Sequence, residues 1–180
     1  MEPVEINTGA FYLRALRADD RLDDRPSIVR AFRDPEFLRW SPETRSLTLE
    51  EAGTYVARRA DAWTADECCS WAVADPLSGE LLGEVGVREL DFDDGTGRAF
   101  CWTMPEARGR RVASTGLNAA LRFVFDGLGL SEVDYQFAEA NTGSRRVAEA
   151  CDFAPSGVPG RTVTVRGEEY TQLRWIRRAG

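Results

Sequence analysis

Three extended segments stand close together in the middle of this sequence, and they restrict its fold more than any other feature. They cover residues 70–74, 81–90 and 98–104, and turn-forming stretches at residues 75–79 and 91–95 separate them. Because links this short join neighbouring antiparallel strands, the segments predict an antiparallel meander. The chain must therefore fold around a β-sheet.

Patterns on both sides of the meander predict a mixed α/β architecture. Before it they indicate a strand at 11–16, short helices near 27–32 and 35–40, and a longer helix that starts with a capping box from Thr48 to Glu51. After it they indicate helices at 112–127 and 141–151, a strand at 133–138 and a closing hairpin of 162–166 with 170–176. We expect one domain over residues 1–180, with a mixed, mostly antiparallel sheet of about six to seven strands flanked by helices.

Two apolar patterns indicate which side chains face the core. The long helix repeats apolar residues at three- and four-residue steps, at Leu49, Ala52, Val56, Ala60 and Trp63. In the strand at 133–138, Val133, Tyr135 and Phe137 alternate with polar residues. This alternation indicates a packed strand face rather than a platform for a ligand.

The composition excludes several kinds of chemistry. All 23 basic residues are arginine, and the chain has neither lysine nor histidine. Histidine bases, Ser-His-Asp triads, Schiff-base lysines and phosphate-binding loops that end in Gly-Lys are therefore ruled out. The net charge of −7 argues against a nucleic-acid partner, because duplex binding needs a positive surface.

The cysteines and the hydropathy lead to expectations about location. Cys68, Cys69, Cys101 and Cys151 show none of the paired spacings of a zinc site, so we interpret them as free thiols in a reducing compartment and expect no metal. No apolar run has membrane-spanning length, and the N-terminus lacks the pattern of a signal peptide. We expect a cytoplasmic protein without a membrane partner.

The stretch from Trp102 to Ser114 has the clearest functional pattern. A strand runs into a proline, then into a glycine among three arginines, and then into a helix. The first N–H groups of a helix lack partners within it and the helix dipole is positive there, so this junction can hold a diphosphate. Arg108, Arg110 and Arg111 would add charge-assisted hydrogen bonds. On these residues alone, a solvated surface loop is the alternative.

Four blocks of sequence, which together span most of the chain, point to a family. They are Phe11-Tyr-Leu-Arg-Ala-Leu16 with Trp40-Ser-Pro42, then Leu82-Gly-Glu-Val-Gly86, then residues 105–113, and last residues 141–153. With these blocks the chain resembles the GNAT superfamily of N-acetyltransferases, in the branch of the ribosomal-protein acetyltransferases RimJ and RimL.

The loop follows the superfamily pattern Arg/Gln-x-x-Gly-x-Gly/Ala with one departure. Arg108 and Ala113 match it, whereas Arg111 replaces the central glycine. A glycine there normally lets the backbone approach the diphosphate. The replacement implies that the Arg111 side chain turns outward or that the cofactor shifts.

The resemblance implies that acetyl-CoA is the co-substrate. The implied cofactor-binding residues are Trp102, Thr103, Met104, Arg108, Gly109, Arg110, Arg111, Val112, Ala113, Ser114 and Asn141. In the implied reaction, a primary amine attacks the thioester directly in a ternary complex. The amine belongs either to a protein or peptide N-terminus or to a small molecule.

The resemblance also assigns roles outside the loop. It implies that Ser144 is the general acid and that Trp40 lines the groove for the acceptor amine. A structural role competes for the residues near Ser144: Asn141 and Thr142 are candidate N-caps for the helix that follows, and Ser144 could simply lie in its first turn.

A general base is harder to place. Relatives commonly have an acidic residue early in the strand before the loop, but Arg98 stands at that position. Glu84 is the best substitute, followed by Glu89 and the acidic turn that starts at Asp91. A weak base suffices for an α-amino group with a pKa of about 7.7–8.0, whereas a lysine amine near 10.4 needs a stronger one. We therefore favour an acceptor with a low pKa.

Other hypotheses stay open. Because Arg98 and Arg111 replace expected residues, the chain could be a catalytically degenerate GNAT-fold module that binds acyl-CoA or a protein partner. The donor could be a longer acyl-CoA such as succinyl-CoA. A homodimer is a further option.

Overall fold

The computed structural model describes residues 1–41, 45–165 and 167–180. Two predictions lie partly outside the described residues. Pro42 is the last residue of one family block, and Arg166 is the last residue of a predicted strand. Within the ranges, the order of elements follows the patterns in the sequence: two short strands and three helices, then a run of three strands, and then helices that alternate with strands.

The elements up to the end of the meander are β1 (Ile6–Asn7), β2 (Tyr12–Arg14), α1 (Arg25–Ala31), α2 (Pro35–Trp40), α3 (Leu49–Thr64), β3 (Cys68–Ala74), β4 (Leu81–Asp91) and β5 (Thr96–Thr103). Those after it are a 3₁₀ turn (Pro105–Ala107), α4 (Val112–Arg122), a π-helical turn (Phe123–Gly127), β6 (Glu132–Ala138), α5 (Thr142–Ala150), β7 (Ala154–Pro155), β8 (Arg161–Val165) and β9 (Glu168–Arg178).

The sheet contains the predicted meander. Strands β3, β4 and β5 pair antiparallel in chain order. The full order is β1-β2-β3-β4-β5-β6-β9-β7, and β8 also pairs with β9. The mixed, mostly antiparallel α/β architecture is therefore confirmed. The sheet has nine strands rather than six or seven, because two-residue strands such as β1 and β7 are too short to leave a periodic pattern.

One pair of neighbouring strands separates halfway along its length. β5 and β6 run parallel, and their pairing extends from Thr96 with Glu132 to Ala99 with Tyr135. Beyond that point β5 stays paired with β4, and β6 stays paired with β9. The edges of residues 100–103 and 136–138 that face each other are therefore unpaired, and a gap opens within the sheet.

Helices cover both faces of the sheet around this gap. α4 packs closely on the face that carries Val73 and Val85, and a Cβ on Gly116 would collide with Val73. Because successive side chains of a strand point to opposite faces, Glu84 and Trp102 lie on the other face. There they meet α3, whose Tyr55 hydroxyl donates a hydrogen bond to Glu84.

The long helix begins as predicted, although one part of its predicted face is wrong. The Thr48 hydroxyl accepts from the Glu51 N–H, and the Glu51 carboxylate accepts from the Thr48 N–H, which is the predicted capping box. Ala52, Val56 and Trp63 are buried, but Leu49 and Ala60 are exposed. No helix within the described ranges is long and apolar enough to cross a membrane.

Candidate functional site

The arginine loop, residues 108–114, connects the 3₁₀ turn to α4 and offers a row of free donors. Thr115 is the first residue here whose N–H reaches a helical acceptor, the Arg111 carbonyl at 2.9 Å. In the described part of the chain, no acceptor bonds the N–H groups of Gly109 or of residues 111–114. A run of unpaired N–H groups at the start of a helix favours an anion.

Arg111 keeps the backbone shape that a glycine would allow. Its φ is 62° and its ψ is 21°, which is the left-handed region, and its side chain is exposed. Such a conformation costs a non-glycine residue about 1–2 kcal/mol. Arg111 therefore adopts the left-handed conformation itself, with its side chain exposed, and both outcomes expected from the sequence stay predictions.

Arg108 differs from its neighbours because it already has a partner. Its guanidinium donates to the Asp34 carboxylate, at the N-cap of α2. Burial alone would raise the pKa of Asp34, but the hydrogen bonds from Arg108 and from the Phe37 N–H lower it. Arg108 therefore ties the loop to α2. The side chains of Arg110 and Arg111, in contrast, make no hydrogen bond or ion pair within the described ranges.

The backbone of β5 beside the gap alternates in direction. The Met104 N–H donates to the Leu82 carbonyl at 2.8 Å. In an antiparallel pair every second residue bonds the same neighbour, so residues 102 and 100 also face β4, whereas the N–H groups of Cys101 and Thr103 point into the gap. Of the three residues predicted to pair with the cofactor, Thr103 is oriented for it, while Trp102 and Met104 are engaged with β4.

Asn141 and Ser144 lie at the start of α5, on the α4 side of the gap. Asn141 is the N-cap, and its side chain accepts from the Ser144 N–H at 2.9 Å. Thr142 is the first helical residue, so the alternative N-cap left open by the sequence is not used. The Ser144 hydroxyl accepts from the Tyr135 hydroxyl at 3.3 Å. The predicted roles of Asn141 in cofactor binding and of Ser144 in catalysis stay predictions.

Glu84 is the centre of a buried polar cluster on the α3 face, which we call the Glu84 cluster and which comprises Tyr55, Arg59, Glu84 and Trp102. Glu84 is fully buried. One carboxylate oxygen accepts from the Tyr55 hydroxyl and from the Trp102 indole N–H, the latter at 2.7 Å. The other lies 2.8 Å from the Arg59 Nε in ion-pair contact, without the geometry of a hydrogen bond.

This setting does not suit the general base predicted at Glu84. Arg59 also donates to the Tyr55 hydroxyl at 2.9 Å, and its guanidinium lies 4.8 Å above the Tyr55 ring and 4.7 Å above the Phe100 ring. Burial raises the pKa of Tyr55, and the Glu84 charge raises it further. Glu84 is fully buried among Tyr55, Arg59 and Trp102, and one of its oxygens has only the ion-pair contact with Arg59, so the geometry supports a structural role for it.

Two of the remaining acidic candidates, Glu89 and Asp91, also have partners. Glu89 forms an ion pair with Arg98 at 2.8 Å, and Arg98 in turn lies 3.3 Å from Asp134. Asp91 accepts from the N–H groups of Asp93 and Asp94 at 3.0 and 2.9 Å, which closes the turn between β4 and β5. Glu89 and Asp91 therefore each have a structural task, in the sheet or in its turn.

Trp40 connects α2 to the closing hairpin. Its ring centroid lies 5.4 Å from that of Tyr170 in β9, and its indole N–H donates to Glu36 at 2.7 Å. Nearer the sheet, the rings of Phe32 and Phe37 pack on Trp102. These aromatic residues form one wall beside the gap, on the side opposite α4, where Trp40 stays a predicted contact for the acceptor.

Three partners of the site were missed from the sequence. Arg59 was overlooked because it is charged, although it follows Val56 by three residues on the buried face of α3. Asp34 lies 74 positions from Arg108 in the chain, and no local pattern indicates such a pair. Tyr135 was interpreted as core alone, although a buried tyrosine hydroxyl requires a polar partner.

Comparisons with known proteins bear on this arrangement. The model of a protein family described as an acetyltransferase (GNAT) domain matches residues 11–154. No curated protein matches the chain. Within the described ranges, no group of three or more acidic or cysteine side chains is placed to hold a metal ion.

Several solved structures share the fold over nearly the whole chain. The ribosomal-protein-S5-alanine acetyltransferase from Vibrio fischeri has a TM-score of 0.84 at 15% identity, and the match covers 98% of this chain and 97% of that one. A GNAT-family acetyltransferase from Bacillus anthracis has a TM-score of 0.83 at 17% identity, and the match covers 98% of this chain and 99% of that one. The spermidine N-acetyltransferase from Vibrio cholerae in complex with CoA and spermine has a TM-score of 0.79 at 19% identity, and the match covers 95% of this chain and 96% of that one. At these identities the likeness is one of fold.

Proposed function

The chain belongs to the GNAT acetyltransferases, and from this premise we propose that it transfers an acetyl group from acetyl-CoA to a primary amine by direct attack in a ternary complex. The observation that carries the proposal is the position of the arginine loop at the open end of the gap between β5 and β6. An acetyl-CoA held by the loop can extend its thioester arm along the unpaired edge of β5. An amine on the α3 face of the sheet could then reach the thioester through the gap.

The residues present fit coenzyme A. The unpaired N–H groups of residues 111–114 suit a diphosphate, and Arg110 and Arg111 are free to add charge-assisted contacts. The backbone at Gly109 is accessible, since an added Cβ would meet nothing within 4 Å. The N–H groups of Cys101 and Thr103 can bond the amide-bearing arm as an added strand would. We assign the cofactor to these groups and to Asn141.

The chemistry follows from these positions. The amine nitrogen attacks the thioester carbon, the carbonyl oxygen becomes negative, and the Cys101 N–H is the fixed donor that we assign to it. The carbon–sulfur bond then breaks, the sulfur takes the proton of Ser144, and the nitrogen loses its proton to water. Water restores the proton to Ser144. A thiol with a pKa of about 8.5 leaves readily, so one hydroxyl is sufficient help.

The acceptor that we propose is an amine with a low pKa, such as the α-amino group of a peptide or an amino acid. Two observations support this proposal. Glu84 is fully buried and so cannot take a proton from the acceptor amine, and Glu89 is paired with Arg98. Without a strong base the enzyme must use the neutral fraction of its acceptor. At pH 7.5 that fraction is roughly two hundred times larger for an α-amino group than for a lysine side chain.

Isothermal titration with CoA and a thiol-release assay test this function. We expect CoA to bind, and we expect amine-dependent thiol release to be at least about tenfold faster with peptide α-amines than with N-α-blocked lysine at pH 7.5. Blocking both amines in one peptide provides the control. Binding without any amine-dependent release would instead identify the degenerate module, and an absence of binding would reject both functions. Competition between acetyl-CoA and succinyl-CoA decides the acyl chain.

Other properties complete the proposal. We place the protein in the cytoplasm as one catalytic domain over residues 1–180, supported by four free cysteines, of which Cys68, Cys69 and Cys151 are buried. Trp40 and its neighbours on α2 form the wall that we assign to the acceptor. We leave a homodimer as an option that light scattering would decide.

A further inference from the structure

Tyr135 lies where the pairing of β5 with β6 ends. Its ring is buried, with 4% of the residue exposed, and its partner Ala99 is the last paired residue of β5 before the gap opens. The Tyr135 hydroxyl contacts two other polar groups, the Cys101 thiol and the Ser144 hydroxyl, each at 3.3 Å. A short polar chain therefore crosses the floor of the gap.

The packing around Tyr135 does not require its hydroxyl. The ring lies 5.7 Å from the Phe137 ring and 5.6 Å from the Phe153 ring. A phenylalanine would make the same ring contacts and would bury no polar atom, and burying a polar atom has a cost unless it is hydrogen-bonded. The hydroxyl is therefore the one part of this residue that the core leaves unexplained.

The direction of the hydrogen bonds gives the hydroxyl a task. Tyr135 donates to Ser144, so the Ser144 oxygen acts as an acceptor in this contact and its own proton is available to another group. The Ser144 backbone is fixed as well, because its N–H donates to the Asn141 side chain at 2.9 Å. With the oxygen held on one side by Tyr135, the serine proton can turn only toward the remaining space, which includes the gap.

We propose that Tyr135 is a positioning residue for acetyl transfer, which holds the Ser144 hydroxyl so that its proton points at the sulfur leaving through the gap. This inference rests on the proposed function, because it needs a thioester in the gap. Tyr135 acts through Ser144 and does not itself touch the reacting atoms.

The electrostatics agree with a donor role. Burial raises the pKa of Tyr135 well above its usual value, so the phenol keeps its proton over the whole working range. Burial also raises the pKa of Cys101 to about 11, so its thiol stays neutral. A thiolate there would compete with Ser144 for the Tyr135 proton, whereas a neutral thiol does not. A donor hydrogen bond from Tyr135 also makes the serine proton easier to give, since hydrogen bonds in a chain polarise one another.

A double-mutant cycle tests the inference. Tyr135→Phe, Ser144→Ala and the combined variant are assayed for acetyl transfer with the best amine of the panel. We expect Tyr135→Phe to lower kcat by about tenfold, while the KM for acetyl-CoA and the Kd for CoA stay within about twofold. Because Tyr135 acts through Ser144, the combined variant should be no slower than Ser144→Ala alone.

Phe153→Leu is the matched control, since it changes the packing beside the Tyr135 ring without touching the polar chain. We expect it to lower the melting temperature and to leave kcat within about twofold. Additive losses in the cycle, an unchanged kcat in Tyr135→Phe, or an equal kcat loss in Phe153→Leu would each overturn the inference. A wild-type protein that binds CoA but transfers nothing would instead reject the proposed function.

Discussion

The Glu84 cluster and the arginine loop are both rich in charged groups, and they belong to different faces of the sheet: the cluster packs under α3, and the loop leads into α4. In the Glu84 cluster, the carboxylate is fully buried and meets three donors from α3 and β5. In the arginine loop, the described backbone N–H groups of Gly109 and residues 111–114 lack an acceptor, and Arg110 and Arg111 extend from an exposed turn.

The difference separates groups that support the fold from groups that await a ligand. A buried charge without partners costs several kcal/mol, so the sheet is stable only when Tyr55, Arg59 and Trp102 surround the Glu84 carboxylate. Exposed donors are met by water at little cost, and a ligand can replace that water. Charge at a site is therefore a poor guide to function until its partners are counted.

Removing the central charge of the Glu84 cluster should have the largest effect. Glu84→Ala leaves the Arg59 guanidinium without its carboxylate in a partly buried position, with 24% of the side chain exposed, and we expect a loss of about 3 kcal/mol in the free energy of unfolding, the lower end of the range for a buried pair. Urea denaturation measures it. Arg178→Ala is the control, because it breaks an exposed ion pair of 2.8 Å with Glu132 and should cost less than about 1 kcal/mol. Similar losses in the two variants would break the comparison.

Removing a charge from the arginine loop should affect binding rather than stability. For Arg110→Ala we expect a Kd for CoA about tenfold higher, near 1.4 kcal/mol, and an unchanged free energy of unfolding, because the side chain supports no other group by hydrogen bond or ion pair in the described structure. Titration calorimetry and urea denaturation measure the two quantities. Arg58→Ala, on the exposed side of α3, should change neither. A stability loss without a binding loss would reverse the roles assigned to the two regions.

The smallest effect on stability should come from Glu51, whose carboxylate is hydrogen-bonded in the capping box but lies at the surface. The hydrogen bond from the Thr48 N–H, helped by Arg45, lowers the pKa of Glu51 from 4.5 to about 2. Since the folded pKa is the lower one, this stabilisation is complete above pH 4.5 and is lost as the pH falls toward 2. Acid titrations of unfolding should therefore show a shallower pH dependence in Glu51→Gln, which keeps the hydrogen bond. An identical slope would mean that the capping box is not charge-dependent.

Much of the fold could be predicted from the sequence because periodic patterns record which faces are buried. The meander, the helix that starts at Val112 and the capping box at Thr48 follow from alternation, apolar spacing and turn residues. The same method places Leu49 and Ala60 wrongly in the core of α3. It considers only apolar residues, whereas the true inner face of that helix includes the charged side chain of Arg59.

The site was less predictable because its partners meet over long distances in the chain. The helix start at residue 112 and the arginines before it are local, so the candidate cofactor loop is visible in sequence. The pairing of Arg108 with Asp34 and the contact of Glu84 with Tyr55 depend on how α2 and α3 pack on the sheet. The direction of the Cys101 N–H depends on strand register, which is set by pairing and not by residue type.

The gap between β5 and β6 also bears on how products would depart. In the proposed reaction, a donor bound on the α4 side and an acceptor bound on the α3 side would share one strand edge, yet each would enter and leave through its own face of the sheet. The thiol product could then dissociate while the acetylated amine is still bound, and the reverse order would be equally open. Neither product would trap the other, so the order of release would follow from their separate affinities rather than from the architecture.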